Sequence, residues 1–259
     1  MSNAHLVYTD AMYNKYGYMA TWVPNVRINL GDVGTIHERE FTILTNLSNL
    51  GINFDIGKES TGADYEFISS DNVTYKPKLA GQAPVAGSMI AKADAGVSYF
   101  FHNENAIVFQ ALDCRETSIL DQHSLGQQIL NLYEQGKWPG DYVVVTNLIT
   151  SKSGTVLISS GNGAVIELRA TVGLTPGGVI KIADVNAGLQ VVQESKIGTK
   201  VIASKKLTPL FTVFGVKKNL LLKPKFVSRG DAKPDMSKTL SDKQVPSMKF
   251  VKMEYGDFD

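Results

Sequence analysis

The stretch "AVIELRATVGLTPGGVIKIADVNAGLQVVQES", residues 164–195, indicates the fold class. A Gly-Pro turn and an Asn-Ala-Gly turn divide it into three short segments of β character. Within 164–172 the even positions are apolar and the odd positions are mostly polar, the period of a strand with one buried face. Strands joined by short turns pair antiparallel, so the stretch predicts an antiparallel sheet. The same alternation suits a solvated sheet and a sheet that contacts lipid, and composition does not separate the two.

The β pattern continues on both sides of this stretch. Residues 53–112 alternate with a period close to two and are divided by turn sequences. "DYVVVTNLIT" (141–150) is nearly continuous in apolar and β-branched residues, which predicts a central buried strand. The turn "SKSG" then predicts a separate strand at "GTVLISS", and "KVIAS" and "PLFTVFGVK" (209–217) predict two closing strands.

Two segments favour helix. Residues 5–16 form a short one, and residues 117–140 form a longer one that is capped by Thr117 or Ser118 and stopped by Gly136. The segment 80–96 is rich in Ala and Gly and has little bulk to hold it in a core. We therefore predict an α+β fold: a largely antiparallel twisted β-sheet with one or a few helices and an extended C-terminal tail.

The bulk properties exclude several function classes. The formal net charge is +1, so no nucleic-acid partner is expected. The single cysteine, Cys114, predicts a reducing compartment and a structural thiol. The four histidines are scattered and predict no metal site. The sequence has neither a catalytic motif nor a long apolar segment, so we expect no catalytic residue, no cofactor, no enzymatic activity and a cytoplasmic location.

The last part of the chain differs from the rest. Residues 1–222 form a predicted core, and 223–259 form a tail rich in Pro and Lys with a late return of apolar residues. From residue 205 onward twelve Lys and Arg face six Asp and Glu, so this part carries +6 and the rest carries −5. We expect the tail to dock as a latch through Phe250, Met253, Tyr255 and Phe258.

Four segments in order resemble the gasdermin family, especially its short bacterial members. They are "YNKYGYMATWVPNVRINLGDVG", "ETSILDQHSLGQQILNLYEQGKW", "DYVVVTNLITSKSGTVLISS" and "LTPLFTVFGVKKNLL", and together they span about residues 8–222. The shared features are a Gly-Tyr pair after the first helix (17 and 18), a "YVVT" type strand (142–146) and an "AFxV" type closing strand (211–216). Short bacterial gasdermins carry a lipid-modified cysteine near the N-terminus, whereas the one cysteine of this chain is Cys114.

The resemblance implies a latent pore-forming protein that causes cell death in defence. It implies a monomer held inactive by its C-terminal segment, cleavage by an activating protease, and homo-oligomers that insert β-hairpins into membrane lipids as a large barrel. The refolding segments are expected at about 63–110 and 163–204. The expected membrane-inserting residues are Val97, Tyr99, Phe101, Ile166, Leu168 and Val172. The expected lipid-headgroup residues are Lys15, Lys205, Lys206, Lys217 and Lys218, and the expected cleavage region holds Arg229, Lys233 and Lys238.

One alternative stays open on the sequence. A β-rich binding or assembly protein without enzymatic activity would show the same alternating strands, with the tail clasping a partner or a neighbouring subunit. A sheet core with a docked C-terminal strand favours the pore-forming hypothesis, whereas a closed sandwich with a formed groove favours the binding protein.

Overall fold

The computed structural model describes residues 4–22, 26–69, 71–171, 181–184, 186, 188–218 and 248–258. These residues contain two α-helices, α1 (Ala4–Tyr16) and α2 (Gln122–Glu134). The strands, in chain order, are β1 (Met19–Ala20), β2 (Asp32–His37), β3 (Glu40–Asn46), β4 (Ala63–Ile68), β5 (Val73–Lys78), β6 (Ala95–Phe101), β7 (Ile107–Ser118), β8 (Val143–Ser159), β9 (Ala164–Ala170), β10 (Leu189–Ser195), β11 (Ile197–Lys218) and β12 (Met248–Lys252).

The two longest strands, β8 and β11, form the centre of an eight-stranded sheet. They pair antiparallel from Ile197 opposite Ser159 to Gly215 opposite Val143. The other edge of β8 pairs with β7 and β2, and β4 and β3 extend the sheet beyond them. The other edge of β11 pairs with β1 and, further along, with β12. β8 is therefore paired along both edges. Its Val-, Ile- and Thr-rich sequence is almost entirely buried because its side chains also pack into apolar clusters.

A second sheet of four strands packs against the first. Its order is β10-β9-β6-β5, and every pairing within it is antiparallel. Its inner face packs on Val108 of β7 and Leu157 of β8, and these residues share one buried apolar cluster. The outer face carries the polar members of the alternating strands. The predicted α+β fold with largely antiparallel sheets is confirmed.

The predicted start of the long helix is wrong. Thr117 and Ser118 end strand β7, where they pair with Leu148 and Asn147 of β8. The helix begins at Gln122, and its cap is Asp121, whose carboxylate accepts a hydrogen bond from the backbone N of Ser124 at 2.8 Å. Hydroxyl residues suit both a strand end and a cap, and here the pairing partner on β8 decides.

The predicted turn at 151–154 is also wrong. These residues continue β8 without a break, because β7 and β11 pair with its backbone on both sides. Small side chains are needed there: a Cβ on Gly154 would lie 2.8 Å from Cδ1 of Leu207. The two predicted closing strands likewise form the single strand β11, which accommodates Pro209 at an irregularity of register between Leu207 and Leu210.

The three segments predicted within 164–195 give two strands in the described part of the chain. β9 and β10 pair directly with each other, from Leu189 opposite Ala170 to Ser195 opposite Val165. Between them, residues 181–184 form a turn that buries Ile182, while 172–180 lie outside the described residues. Most of the predicted tail, 223–247, also lies outside them. Neither described helix is long and apolar enough to cross a membrane.

We predict that Cys114 does not react in the native protein. It lies within β7, 2% exposed, and its burial raises the pKa of the thiol to about 12 from an ordinary value of 9.0. The thiolate fraction at pH 8 should therefore fall by about a thousandfold. Titration with a chromogenic disulfide reagent should give no fast-reacting thiol in the native chain and one in denaturant. Fast reaction of the native chain at the rate of a free thiol would show that the strand opens at this position.

Candidate functional site

The inner face of the second sheet collects most of the residues predicted to insert into membranes. Five of the six lie on this face and are at most 3% exposed: Val97, Tyr99, Phe101, Ile166 and Leu168. Val97 lies opposite Leu168 and Tyr99 opposite Ile166 on the neighbouring strand. Val172 lies outside the described residues. The five side chains form a contiguous apolar surface, which the first sheet covers.

The outer face of the same sheet contains a buried charge that the sequence did not predict. Glu167, an odd position expected to face water, is 1% exposed. Its carboxylate accepts hydrogen bonds from the backbone N of Met89 at 2.7 Å and from Oγ of Ser98 at 2.8 Å. Its neighbour Arg169 forms an ion pair with Asp94 at 3.6 Å. The outer face is therefore covered at its centre by the connection between β5 and β6.

We name this connection, residues 79–94, the strap. It is fixed by a second buried charge, Lys78, which is 3% exposed. The Lys78 ammonium donates to the backbone carbonyls of Ala91, Lys92 and Asp94, at 2.8, 3.2 and 2.5 Å. Three acceptors satisfy all three N–H donors of the ammonium group. Lys78 and Glu167 thus fix the strap through its backbone, and the ion pair of the Asp94 side chain with Arg169 adds to this attachment.

One strap side chain does enter the structure. Ile90 is 1% exposed and packs over Gly96, where a Cβ would lie 2.8 Å from the Ile90 Cδ1 atom and 2.4 Å from the carbonyl oxygen of Leu168. The small side chains of 80–96 predicted weak packing. The segment is instead attached by the hydrogen bonds of Lys78 and Glu167 and by the contact of Ile90 with Gly96. In the sequence, Lys78 and Glu167 look like ordinary outward residues of alternating strands. Only the path of the strap reveals their role, so no local signal could have identified them.

The second feature of the site is the C-terminal segment 248–258, which we name the latch. Its strand β12 pairs antiparallel with the end of β11, from Met248 opposite Lys218 to Lys252 opposite Phe214. The pairing continues past the strand, because the backbone N of Met253 donates to the carbonyl of Val213 at 3.0 Å. The latch therefore closes an edge of the first sheet that would otherwise expose unpaired backbone groups.

Each of the four predicted latch residues contacts the body of the protein. The ring of Phe250 lies 5.3 Å from that of Phe214 and packs on Gly126 of α2, where a Cβ would be 3.0 Å from the Phe250 ring. Met253 is buried over Gly215. Phe258 is half-buried in the same apolar cluster as Met253. The glycine within α2 weakens the helix by itself, and its contact with Phe250 explains its presence.

Tyr255 makes the most varied contacts of the latch. It is 4% exposed, and its hydroxyl accepts a hydrogen bond from the backbone N of Ala20 at 3.2 Å. Its ring lies 5.2 Å from the Tyr13 ring, and the Arg39 guanidinium carbon lies 5.0 Å from the centre of its ring. Burial raises the pKa of Tyr255 far above its ordinary value, so the phenol stays neutral. This one side chain joins the latch to α1, to β1 and to the turn between β2 and β3.

The lysines predicted to bind lipid headgroups do not form one cluster. Lys15 is exposed near the end of α1, Lys205 and Lys206 lie in the middle of β11, and Lys217 and Lys218 lie at its end. The two β11 pairs are roughly 35 Å apart along an extended strand. Lys217 forms an ion pair with Asp257 of the latch. The predicted cleavage residues Arg229, Lys233 and Lys238 lie outside the described residues.

We predict that Glu167→Ala loosens the strap. The change leaves the Met89 N–H and the Ser98 hydroxyl without their acceptor, at a cost of about 1–3 kcal/mol for a buried group. Hydrogen exchange of the amides at 88–91 should accelerate by about tenfold or more, since about 1.4 kcal/mol corresponds to a tenfold change. The control is Glu66→Ala, which removes an exposed carboxylate on β4. Equal protection of 88–91 in the two variants would show that Glu167 does not hold the strap.

Comparison of the chain with known proteins identified no family. A scan of the chain against protein-family models gave no match, and a search of curated proteins gave none. The resemblance to gasdermins therefore rests on the sequence segments quoted for it. The site has two covered surfaces, the inner face of the second sheet and the edge of β11 under the latch.

Proposed function

We propose that this chain is a latent, gasdermin-like pore-forming protein without enzymatic activity. In this proposal it is a cytoplasmic monomer until a protease cuts between the core and the latch. Loss of the latch then lets it oligomerise on membrane lipids, insert β-hairpins as a barrel and kill the cell in defence. One observation carries the proposal: strand-like alternation continues through the strap, although the strap is not a strand in this structure.

The alternation extends β5 and β6 toward each other. Only 73–78 and 95–101 are strands, yet the odd positions from 73 to 85 and from 89 to 101 are all apolar or glycine. They are Val73, Tyr75, Pro77, Leu79, Gly81, Ala83 and Val85, then Met89, Ala91, Ala93, Ala95, Val97, Tyr99 and Phe101. The even positions are polar, small or proline apart from Ile90 and Phe100. Each segment exceeds the roughly 9–11 residues of a membrane strand.

The second hairpin has the same property on its first arm. The apolar face of β9 continues beyond Ala170 at every second position, with Val172, Leu174 and Pro176. The odd positions there are Thr171, Gly173 and Thr175. A connection that serves only to join two strands has no reason to keep the period of a sheet face. The two hairpins are neighbours through β6 and β9, so lengthened arms would continue an existing pairing.

The latch supports the proposed control of assembly. While it is docked, Phe214 and Gly215 near the end of β11 have a pairing partner on each edge, and the last three residues of the strand pair with the latch. Its removal would free the backbone of 214–218 on one edge and expose the apolar surface under Phe250 and Met253. A free edge with apolar residues beside it favours pairing with another chain. Release would also free Lys217 from Asp257, which leaves Lys217 and Lys218 for acidic headgroups.

We predict that a reversible lock on the latch controls membrane leakage. The variant carries a protease recognition sequence inserted between residues 228 and 239, and cysteines at Lys218 and Met248, which lie directly opposite each other. Facing positions of an antiparallel pair are close enough for a disulfide. After cleavage, the oxidised protein should leave anionic liposomes sealed, and addition of reductant should release an enclosed dye at least tenfold faster.

The uncut protein with the same two cysteines is the control, and reductant alone should not make it active. Both arms carry the same substitutions, so the loss of Lys218 does not affect the comparison. If the cleaved and reduced chain stays folded and monomeric and the dye remains enclosed, the proposed function is wrong.

We predict that adjacent strap residues enter different environments in the proposed pore. Ala91 and Lys92 are both exposed in this structure, and they fall on opposite faces of the lengthened strand. A polarity-sensitive fluorophore on cysteine at position 91 should shift to the blue and brighten severalfold when cleaved protein meets liposomes. The same fluorophore at position 92 should change little. Similar spectra at both positions would exclude the lengthened strand, and the buried Cys114 should remain unlabelled.

The alternative, a β-rich binding or assembly protein, is favoured by one feature. The edge of β11 takes a strand from the end of the chain and would equally take a strand from a partner. A binding or assembly protein of this kind would assemble after cleavage without releasing dye from liposomes, and the fluorophores at positions 91 and 92 would keep their spectra. The two measurements above therefore separate the two functions.

A further inference from the structure

A turn between β9 and β10 is attached to the first sheet by contacts of its own. It comprises residues 181–184, and the backbone N of Asp184 donates to the carbonyl of Lys181 at 2.9 Å. Ile182 and Ala183 are at most 1% exposed. Ile182 belongs to the apolar cluster that fills the space between the two sheets. The turn is therefore packed against the body of the protein, and we name it the anchor.

Two buried polar side chains of the first sheet bind the backbone of the anchor. Oε1 of Gln110 accepts a hydrogen bond from the backbone N of Ala183 at 3.0 Å. Oγ1 of Thr155 donates to the carbonyl of Ile182 at 2.6 Å. Gln110 is 9% exposed and Thr155 is fully buried. Loss of either side-chain group would leave a buried backbone group without its partner, which is unfavourable.

The strand register shows how this polar pair is placed. Gln110 of β7 lies directly opposite Thr155 of β8, two residues along from the pair Val108 and Leu157. Val108 and Leu157 pack under the second sheet. Residues two apart on a strand share a face of the sheet, so the polar pair continues the face that the second sheet covers. The anchor covers the polar pair, and it binds this pair with backbone groups.

An ion pair attaches the exposed end of the anchor. The ammonium of Lys181 lies 2.6 Å from Oδ2 of Asp64 on β4, and Oδ1 of the same carboxylate accepts from the backbone N of Asp113 at 3.0 Å. Hydrogen bonds from Lys181, first, and from Asp113 lower the pKa of Asp64. Both side chains of the ion pair are about half exposed, and such pairs stabilise little. The buried bonds of Gln110 and Thr155 are therefore the main attachment.

The anchor lies at the tip of the second hairpin. Ala170 of β9 pairs with Leu189 of β10, and the midpoint between them in sequence falls between residues 179 and 180. Arms that lengthen in this register, as the proposed function requires, would place the first residue of the anchor within two residues of the tip. The tip moves furthest when a hairpin swings away from a sheet. A contact there restrains the whole hairpin.

We propose that the anchor is a second restraint on the second hairpin, independent of the latch, with Gln110 and Thr155 as its positioning residues. The inference rests on the proposed function, because it concerns the hairpin that is proposed to lengthen. It adds an order of events to that function. Removal of the latch would leave the anchor bound, so the inner face of the second sheet would stay covered in solution. The anchor would open at the membrane, where lipid contact of that face compensates for the lost bonds.

The first test is hydrogen exchange of the full chain in solution, without membranes. Thr155→Val keeps the shape of the side chain and removes the donor to the Ile182 carbonyl. It should accelerate exchange of the amides at 182–184 at least tenfold. Gln110→Leu should have the same effect, because it removes the acceptor of the Ala183 N–H.

Two control variants make this test specific. Thr150→Val removes another threonine of β8 that donates to a backbone carbonyl, that of Arg115, and should leave exchange at 182–184 unchanged. Phe250→Ala should accelerate exchange in the latch and leave 182–184 unchanged. The proposal is overturned if Thr155→Val and Thr150→Val give equal exchange at 182–184. It is also overturned if Phe250→Ala accelerates exchange there as much as Thr155→Val does.

Dye release tests the link between the anchor and the proposed pore. After cleavage at a protease site inserted between residues 228 and 239, Thr155→Val should release dye from anionic liposomes at least threefold faster than the parent chain. Thr150→Val should match the parent. If the parent releases dye and Thr155→Val is no faster, the anchor does not restrain the hairpin and the proposal is overturned. If none of the chains releases dye, the proposed function is wrong, and hydrogen exchange alone decides whether the anchor restrains the hairpin in the soluble protein.

Discussion

The antiparallel pairing of β8 with β11 is the constraint on which the other elements depend. These two strands satisfy each other's backbone groups over most of their length, and every other strand of the first sheet pairs with one of them or with a partner of one of them. The edge of β11 that faces away from β8 pairs with β1 and β12. Because β11 extends to Lys218, the C-terminal segment has a strand with which to pair. The second sheet in turn packs on the faces of β7 and β8.

The sequence predicted this architecture well where the period of hydrophobicity was informative. Alternation identified the antiparallel sheets, and the late aromatic residues identified a C-terminal segment that does contact the body of the protein. The sequence predictions were wrong where strand pairing overrides the preference of a residue for a turn or a helix cap. Gly154 has turn character, but Ser204 and Ala111 pair with it on the two edges of β8 and hold it in a strand. Ser151 also has turn character and is held by its pairing with Leu207. Thr117 and Ser118 have cap character and end a strand for the same reason.

The site was less predictable because its key residues act through chain segments that are distant in sequence. The residue type of Glu167 gives no sign that Met89 donates to it, and Gly126 gives no sign that a ring 124 positions later rests on it. The two coverings also differ in chemistry. The latch is held by strand pairing and apolar contacts, whereas the strap is held by two buried charges that bind its backbone. Removal of the latch exposes apolar surface, while opening of the strap returns charges to water.

This difference bears on how the proposed pore would form. Burying an ammonium and a carboxylate costs free energy that their hydrogen bonds only partly offset, so hydration of Lys78 and Glu167 on opening compensates part of the lost contacts. An apolar strap of equal area would receive no such compensation. In the proposed lengthened hairpins both charges would fall on the face opposite Val97 and Leu168, which is the face that would meet water. The small residues of the strap are exposed in this structure, and they keep the period of a strand that the proposed pore would need. The same alternation can therefore specify a closed sheet with a strap and, in the proposed pore, two longer strands. In that proposal, the presence of the latch would decide which of the two forms.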